Sequence, residues 1–369
     1  MLAAVFQWPL RQGRANLTSL GGRMARDEFT WSMLRCFRRY QRRRLRSRLW
    51  PMLIASGWKR CASIVYGTNG PKRPQFMIRP KVAITGANGY VGSVTARALA
   101  GQADVVGLVR KPNSPNDIAW SFDADPAALE TAVRQHEVTH LIHAAWDMKA
   151  NSLSTLERDC VAGSARLFAA ARAGGVSRLI FISSISAFAG ARSAYGRSKL
   201  MVEQIAHDHQ GLVLRLGLVY GEGDGGIYGS LKKMVAKARA LPTVGDGSAP
   251  QYLLHERTLA EVLRRAVRGD FDQSGRPLTI AQPEGIAFRT LLGAIAAAQH
   301  KQMTCVPVPW RLLYLGLKTA ETVGMKLDFR SDSVISFIFQ DPAPDFEALA
   351  RYGIEPVRLR VSNAAVERD

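Results

Sequence analysis

Short apolar runs alternate with stretches of helical period over most of this chain. Val82 to Thr85, Asp104 to Arg110, His140 to Ala145, Val176 to Ser184 and Leu212 to Gly221 are each rich in β-branched and aliphatic residues and only strand-length. Near-continuous apolar character of that length predicts strands buried on both faces, as in a parallel sheet. Between them, Ser93 to Ala100 and Leu153 to Ala173 carry apolar residues at helical spacing, the second as one long amphipathic helix. Strand and helix in alternation predict an α/β protein with a doubly wound parallel sheet. Further on, Thr258 to Val267 reads as a helix returning to the sheet and Pro277 to Ala281 as a short strand. Trp310 to Met325 and Ser331 to Phe339 also show apolar residues at helical spacing, expected to be core, or alternatively the wall of a substrate cleft.

The first run opens the stretch the rest is organised around, Lys-Val-Ala-Ile-Thr-Gly-Ala-Asn-Gly-Tyr-Val-Gly from Lys81 to Gly92. Strand, tight turn and helix follow one another directly. Gly86 permits the turn, Gly89 lets backbone approach a pyrophosphate, and Gly92 lets the helix pack closely, while the helix N-terminus offers N–H groups to phosphate.

Charge changes the picture only at the N-terminus. Of a net +20, residues 1 to 80 hold +15, from 17 Lys and Arg against Asp27 and Glu28, which leaves +5 for the rest. Arginines such as Arg38, Arg42 and Arg46 alternate with Trp31, Phe37 and Tyr40. A targeting segment or a nucleic-acid arm would have this composition, but the expectation for residues 1–76 is a disordered basic extension upstream of a fold that starts near Met77. Nucleic acid is therefore an unlikely partner for the body. Cys36, Cys61, Cys160 and Cys305 are scattered without paired spacing, which predicts no metal site and a reducing, cytoplasmic compartment. No apolar run approaches the roughly 18 residues of a membrane span.

Tyr195-Gly-Arg-Ser-Lys199 puts a phenol and an ammonium at i and i+4 on one helix face. A nearby ammonium stabilises phenolate, so such a pair exchanges protons with a substrate hydroxyl or carbonyl. The order of Thr-Gly-x-x-Gly-x-x-Gly, a serine pair Ser183-Ser184 at a strand end, and Tyr-x-x-x-Lys resembles the extended short-chain dehydrogenase/reductase family of NAD-dependent epimerase/dehydratase type. The resemblance runs from Met77 to the C-terminus. It implies a Rossmann domain over 77–222 and a smaller, mixed, mostly helical substrate region over 223–369, with part of 255–282 returning to the Rossmann core. It implies catalysis by Ser184, Tyr195 and Lys199, with Ser184 preferred to Ser183. A dinucleotide would lie along Gly86, Asn88, Gly89, Tyr90, Val91 and Gly92, with Asp123 at the adenine, Ala144 and Ala145 letting the nicotinamide half pass, and Tyr195 and Lys199 at its ribose. Asp125 offers the same chemistry as Asp123, and His143 is assigned only packing. Arg110 and Lys111 stand where an acidic residue would hold the ribose of NAD, which favours NADP, with NAD as the alternative.

The sequence departs from the family at three places. Cys160 stands where an asparagine usually orders a relay water, Arg215-Leu216 replaces Arg-Pro, and Gln251 with His255-Glu-Arg-Thr258 replaces the usual diphosphate contacts. The expected function is hydride transfer on a small-molecule substrate, with a nucleoside-diphosphate sugar leading. The alternatives are an NADPH-dependent carbonyl reductase of a non-nucleotide substrate and a non-catalytic NADP-binding sensor. A homodimer is expected by analogy.

Overall fold

The apolar runs become the strands of one seven-stranded sheet. In the computed structural model the described residues are 79–150, 152–272, 275–325 and 329–359. The basic extension expected over 1–76 lies outside them. Along the chain come β1 (Lys81–Thr85), α1 (Tyr90–Leu99), β2 (Asp104–Val109), β3 (Ile118–Ala119), α2 (Pro126–Gln135) and β4 (His140–His143). Next are α3 (Leu153–Leu156), a π turn (Glu157–Val161), α4 (Ala162–Ala173), β5 (Arg178–Ser184), α5 (Ala194–Asp208), β6 (Leu212–Leu216) and β7 (Leu218–Tyr220). Then follow α6 (Gly226–Lys237), β8 (Ala240–Val244), β9 (Pro250–Gln251), β10 (Leu253–His255), α7 (Glu256–Arg268) and β11 (Leu278–Ile280). The chain closes with β12 (Ile286–Ala287), α8 (Phe288–Ala298), β13 (Thr304–Val308), α9 (Trp310–Thr322), α10 (Ser331–Ile338) and α11 (Glu347–Arg351).

The sheet order is β11-β6-β5-β4-β1-β2-β3, and every pairing in it is parallel. Val82, Ala83 and Ile84 are fully buried because helices cover both faces. Val94 and Leu99 of α1 join Leu259 and Val262 of α7 on one face; Leu129 of α2, Phe168 of α4 and Val202 of α5 cover the other. Strand order reverses between β1 and β4, so their carboxyl ends open a crevice there, the usual ligand site of such sheets. A separate cluster joins Tyr228 and Leu231 of α6 to Leu291 and Ile295 of α8. Beside it run the parallel pair β8–β13 and the antiparallel pair β9–β12. Among the described residues no helix is long and apolar enough to cross a membrane.

Two expectations need correction. The long helix predicted over Leu153 to Ala173 is interrupted by the π turn. The extra residue in that turn resets the phase, so that Cys160, Gly163, Ser164 and Leu167 all face inward. Helix α9, expected as core or else as the wall of a substrate cleft, is not core, since none of its residues is buried.

Candidate active site

At the crevice, Gly86 adopts φ +67° and its carbonyl accepts a 2.8 Å hydrogen bond from Gly89 N–H. A Cβ at Gly86 would lie 2.9 Å from Ala145 Cα, and one at Gly92 would collide with the Gly86 carbonyl. Glycine is thus required by the turn itself, and Gly92 packs on the loop rather than on β1. The N-terminus of α1 has no side-chain cap and no acidic residue in its first turn, which leaves its N–H groups for an anion and fits a dinucleotide pyrophosphate. Asn88, Gly89 and Tyr90 line a cavity of about 370 Å³ there with Ser93, Arg97 and Asp224. Tyr90 donates a 2.7 Å hydrogen bond to Glu256, and Gly225 lies so close to its ring that a Cβ would overlap it. Val91 is half-buried one residue further into α1.

The opposite wall is held by a buried chain of hydrogen bonds. Ser164 Oγ donates to the Cys160 carbonyl at 2.6 Å, so it accepts from His143 Nε2–H at 2.8 Å. His143 Nδ1 then accepts from Thr85 Oγ1 at 2.7 Å, and Thr85 Oγ1 accepts the N–H groups of Ala144 and Ala145 at 3.0 and 3.1 Å. Burial holds His143 well below the usual imidazole range, so it stays neutral in this chain. Its packing role thus fixes the turn along which a nicotinamide would pass.

At the other end, Arg110 and Lys111 are exposed at the end of β2. Asp125 caps α2, accepting from Ala128 N–H at 3.0 Å. Asp123 instead accepts from the Ser121 hydroxyl at 2.5 Å, a bond that, with a backbone hydrogen bond, lowers its carboxyl. Of the two carboxylates Asp123 is the one not committed to a helix.

The catalytic candidates meet at the end of β5. Ser183 points away, donating to Glu203 at 2.5 Å, while Ser184, whose hydroxyl accepts from Ser186 N–H at 3.2 Å, lies near enough to Tyr195 to lower its phenol. Lys199 is buried and donates to the Ile182 carbonyl at 2.8 Å. Its ammonium lies 4.0 Å from the Trp146 ring centroid and 5.9 Å from that of Tyr195. Burial pushes the Tyr195 phenol up to about 12, only partly offset by Ser184. Burial also brings Lys199 down to about 7, against the opposing pull of Cys160 and Glu203. The resting site therefore holds its phenol protonated beside an amine that changes charge near neutrality. Such a pairing is chemically able to donate a proton to a substrate oxygen.

Several supporting residues escape sequence reasoning. Trp146 carries Lys199 on its face and stands edge-on to Tyr195, with centroids 6.2 Å apart; nothing in its spacing marks it. Asp332 of α10 caps α5, the helix that carries Tyr195 and Lys199, accepting from Ala194 and Tyr195 N–H at 2.8 and 3.0 Å. Arg215 turns to Glu203 in a two-pronged pair, with Nη2 at 2.6 Å from Oε2, and so ties β6 to α5. Glu203 had a legible signal, since it follows Lys199 by four residues on the same helical face.

Comparison with known proteins agrees with this architecture. A ceramide reductase of Caulobacter vibrioides is 33% identical over 195 residues, 50% of this chain and 60% of that one. A UDP-glucose 4-epimerase of Erwinia amylovora is 30% identical over 162 residues, 35% of this chain and 48% of that one. The matched stretch thus spans about half the length of these curated relatives. Among solved structures, a UDP-N-acetylglucosamine 4-epimerase from Bacillus cereus superposes with a TM-score of 0.54 at 16% identity, covering 72% of this chain and 99% of its own; that likeness is one of fold. The model of the NAD dependent epimerase/dehydratase family matches residues 82–281. Because that match starts in β1 and ends just past β11, taking in the glycine crevice and the Ser-Tyr-Lys cluster, the chain belongs to this family of enzymes.

Proposed function

We propose that this protein is an NADPH-dependent reductase of a carbonyl group on an apolar, non-nucleotide substrate. The observation that carries the reading is the convergence of Ser184, Tyr195 and a buried Lys199, its amine held on the Ile182 carbonyl and 5.9 Å from the Tyr195 ring, beside the glycine crevice. Gly86 to Gly92 and the α1 N-terminus would hold the pyrophosphate, Arg110 and Lys111 the 2′-phosphate, and Lys199 the nicotinamide ribose. NADPH supplies a hydride to the carbonyl carbon when bound. Ser184 polarises the substrate oxygen, Tyr195 delivers the proton that makes it a hydroxyl, and Lys199 steadies the phenolate left behind.

For the substrate, two observations favour an apolar molecule. A cleft of about 440 Å³ reaches Ala194, next to Tyr195, and is walled by Leu153, Trp310, Tyr314, Ile335 and Phe339. The positions at which diphosphate contacts are expected are occupied with internal bonds: Gln251 donates to the Pro250 carbonyl, His255 caps α7, and Glu256 holds Tyr90. Similarity to a ceramide reductase points the same way. A second reading, conversion of a nucleoside-diphosphate sugar, draws on the similarity to a UDP-glucose 4-epimerase and on Arg192, Arg197 and Lys318 at the cleft rim. The test is NADPH oxidation with long-chain keto-amides, ketones and aldehydes, run beside UDP-sugar conversion. Turnover should appear with the apolar carbonyls, and Tyr195→Phe should lower it by roughly two to four orders of magnitude with cofactor affinity unchanged. Turnover confined to UDP-sugars sinks the substrate assignment; full turnover of the Phe variant sinks the mechanism.

A further inference from the structure

Helix α9 is amphipathic with its apolar side outward. Surface helices ordinarily turn polar residues to water. Here Leu312, Leu315, Gly316, Thr319 and Val323, at i, i+3, i+4, i+7 and i+11, form one exposed stripe. Leu312 is 62% exposed, Leu315 60%, Val323 76% and Met325, just beyond, 60%. The charged residues lie elsewhere on the helix. Glu321 is turned in, its side chain 4% exposed, where it holds Arg330 at 3.2 Å and accepts from Ser331. The inner side, with Tyr314 and Lys318, lines the cleft that reaches Ala194.

Cations stand beside this stripe and at the cleft rim. Arg311 and Arg192 are exposed beside it and at the cleft rim, the first over the Trp310 ring and the second over Phe339. Arg197 and Lys318 complete the rim, and its acidic member, Asp332, is engaged in capping α5. An exposed apolar stripe without acidic residues and flanked by cations is the composition of a helix that lies in a membrane interface.

We propose that α9 docks this protein on the surface of an anionic phospholipid bilayer, with Leu312, Leu315, Val323 and Met325 entering the acyl boundary and the cleft mouth held against the headgroups. An apolar substrate would then pass between bilayer and cleft without crossing water. The inference stands on the two faces of α9 and not on the reaction, so its test needs no substrate.

The full-length protein is co-sedimented with vesicles of phosphatidylcholine containing about one-third phosphatidylglycerol at about 0.15 M salt, every variant compared carrying the same basic N-terminal segment. The parent should bind, and Leu312→Ser/Leu315→Ser should partition at least about tenfold more weakly. Ala127→Ser/Thr131→Ser on α2 should bind like the parent. Because both leucines are exposed, the variant should keep the parental melting temperature, and the added pair Leu312→Met/Leu315→Met should restore binding. Absence of parental binding, or equal binding by the Ser variant, overturns the proposal. So does a lipid-free parent that sediments as a dimer while the Ser variant is monomeric, since the stripe would then be covered by a second copy of the chain.

Discussion

Replacing Lys199 by methionine should make the cofactor-free protein more stable and remove a pH dependence that the parent carries. Burial lowers this lysine from 10.5 in the unfolded chain to about 7 in the fold. Below pH 7 both states are protonated and the whole cost of burying an ammonium is present. Between pH 7 and 10.5 the unfolded chain binds the proton that the native state has released, so stability rises with pH, by at most about 1.4 kcal/mol per unit. The useful window ends near 9, because the buried Cys160 thiol, raised from 9.0 to about 11, makes stability fall with pH above that. Over pH 7 to 9 the parent should therefore gain roughly 2 to 3 kcal/mol. Methionine fills the same channel beside Trp146 and Phe181 without titrating, so its stability should be nearly flat over that window. At pH 7 the variant avoids a cost of about 5 kcal/mol but leaves the Ile182 carbonyl without its donor, worth about 1 to 3, for a net gain of roughly 2 to 4. Urea unfolding of cofactor-free protein, followed by circular dichroism from pH 6 to 9, measures this. The same variant should bind NADPH more weakly, the usual exchange of stability for function at a site. A parent whose stability is flat from pH 7 to 9, or a variant that keeps the parental slope, refutes the account of Lys199 as a buried, depressed amine.

Further consequences follow from individual contacts. Arg110→Ala should erase a preference for NADPH over NADH, costing about 1.5 to 3 kcal/mol in NADPH binding by titration; equal parental affinities for the two cofactors contradict the assignment. Glu203→Leu leaves the half-buried Arg215 guanidinium without its partner and should cost about 3 to 5 kcal/mol in urea unfolding, whereas Glu203→Leu/Arg215→Leu should cost less than either single change. Asp332→Ala removes the acceptor for two N–H groups at the start of α5 and should cost about 1 to 2 kcal/mol, visible as a lower melting temperature. Gly92→Ala drives a methyl into the Gly86 carbonyl and should destabilise by about 1 to 3 kcal/mol while weakening both cofactors alike; unchanged cofactor binding would mean that the crevice is elsewhere.

Local physics fixed much of this protein in advance. A strand-length run with no polar face is stable only where both its faces are covered, so the parallel sheet could be read from Val82 to Thr85 and its counterparts. Gly86 needs a positive φ and Gly92 has no room for a side chain, both properties of a few consecutive residues. Tyr195 and Lys199 share a face because a helix repeats every 3.6 residues. What remained open depended on which side of an element meets another. Ser183 and Ser184 are equivalent in sequence, but successive strand residues point to opposite faces, and only the packing of α5 shows that Ser183 meets Glu203 and Ser184 meets Tyr195. Asp123 and Asp125 were likewise separated only by the start of α2, which takes Asp125 as its cap. Trp146 and Asp332 reach the site from segments whose own patterns say nothing of it, Asp332 from 137 residues beyond Tyr195. The apolar spacing of Trp310 to Met325 correctly foretold a helix with an apolar face but not which way that face turns, because periodicity records the angle between side chains and is silent on which flank the rest of the chain covers.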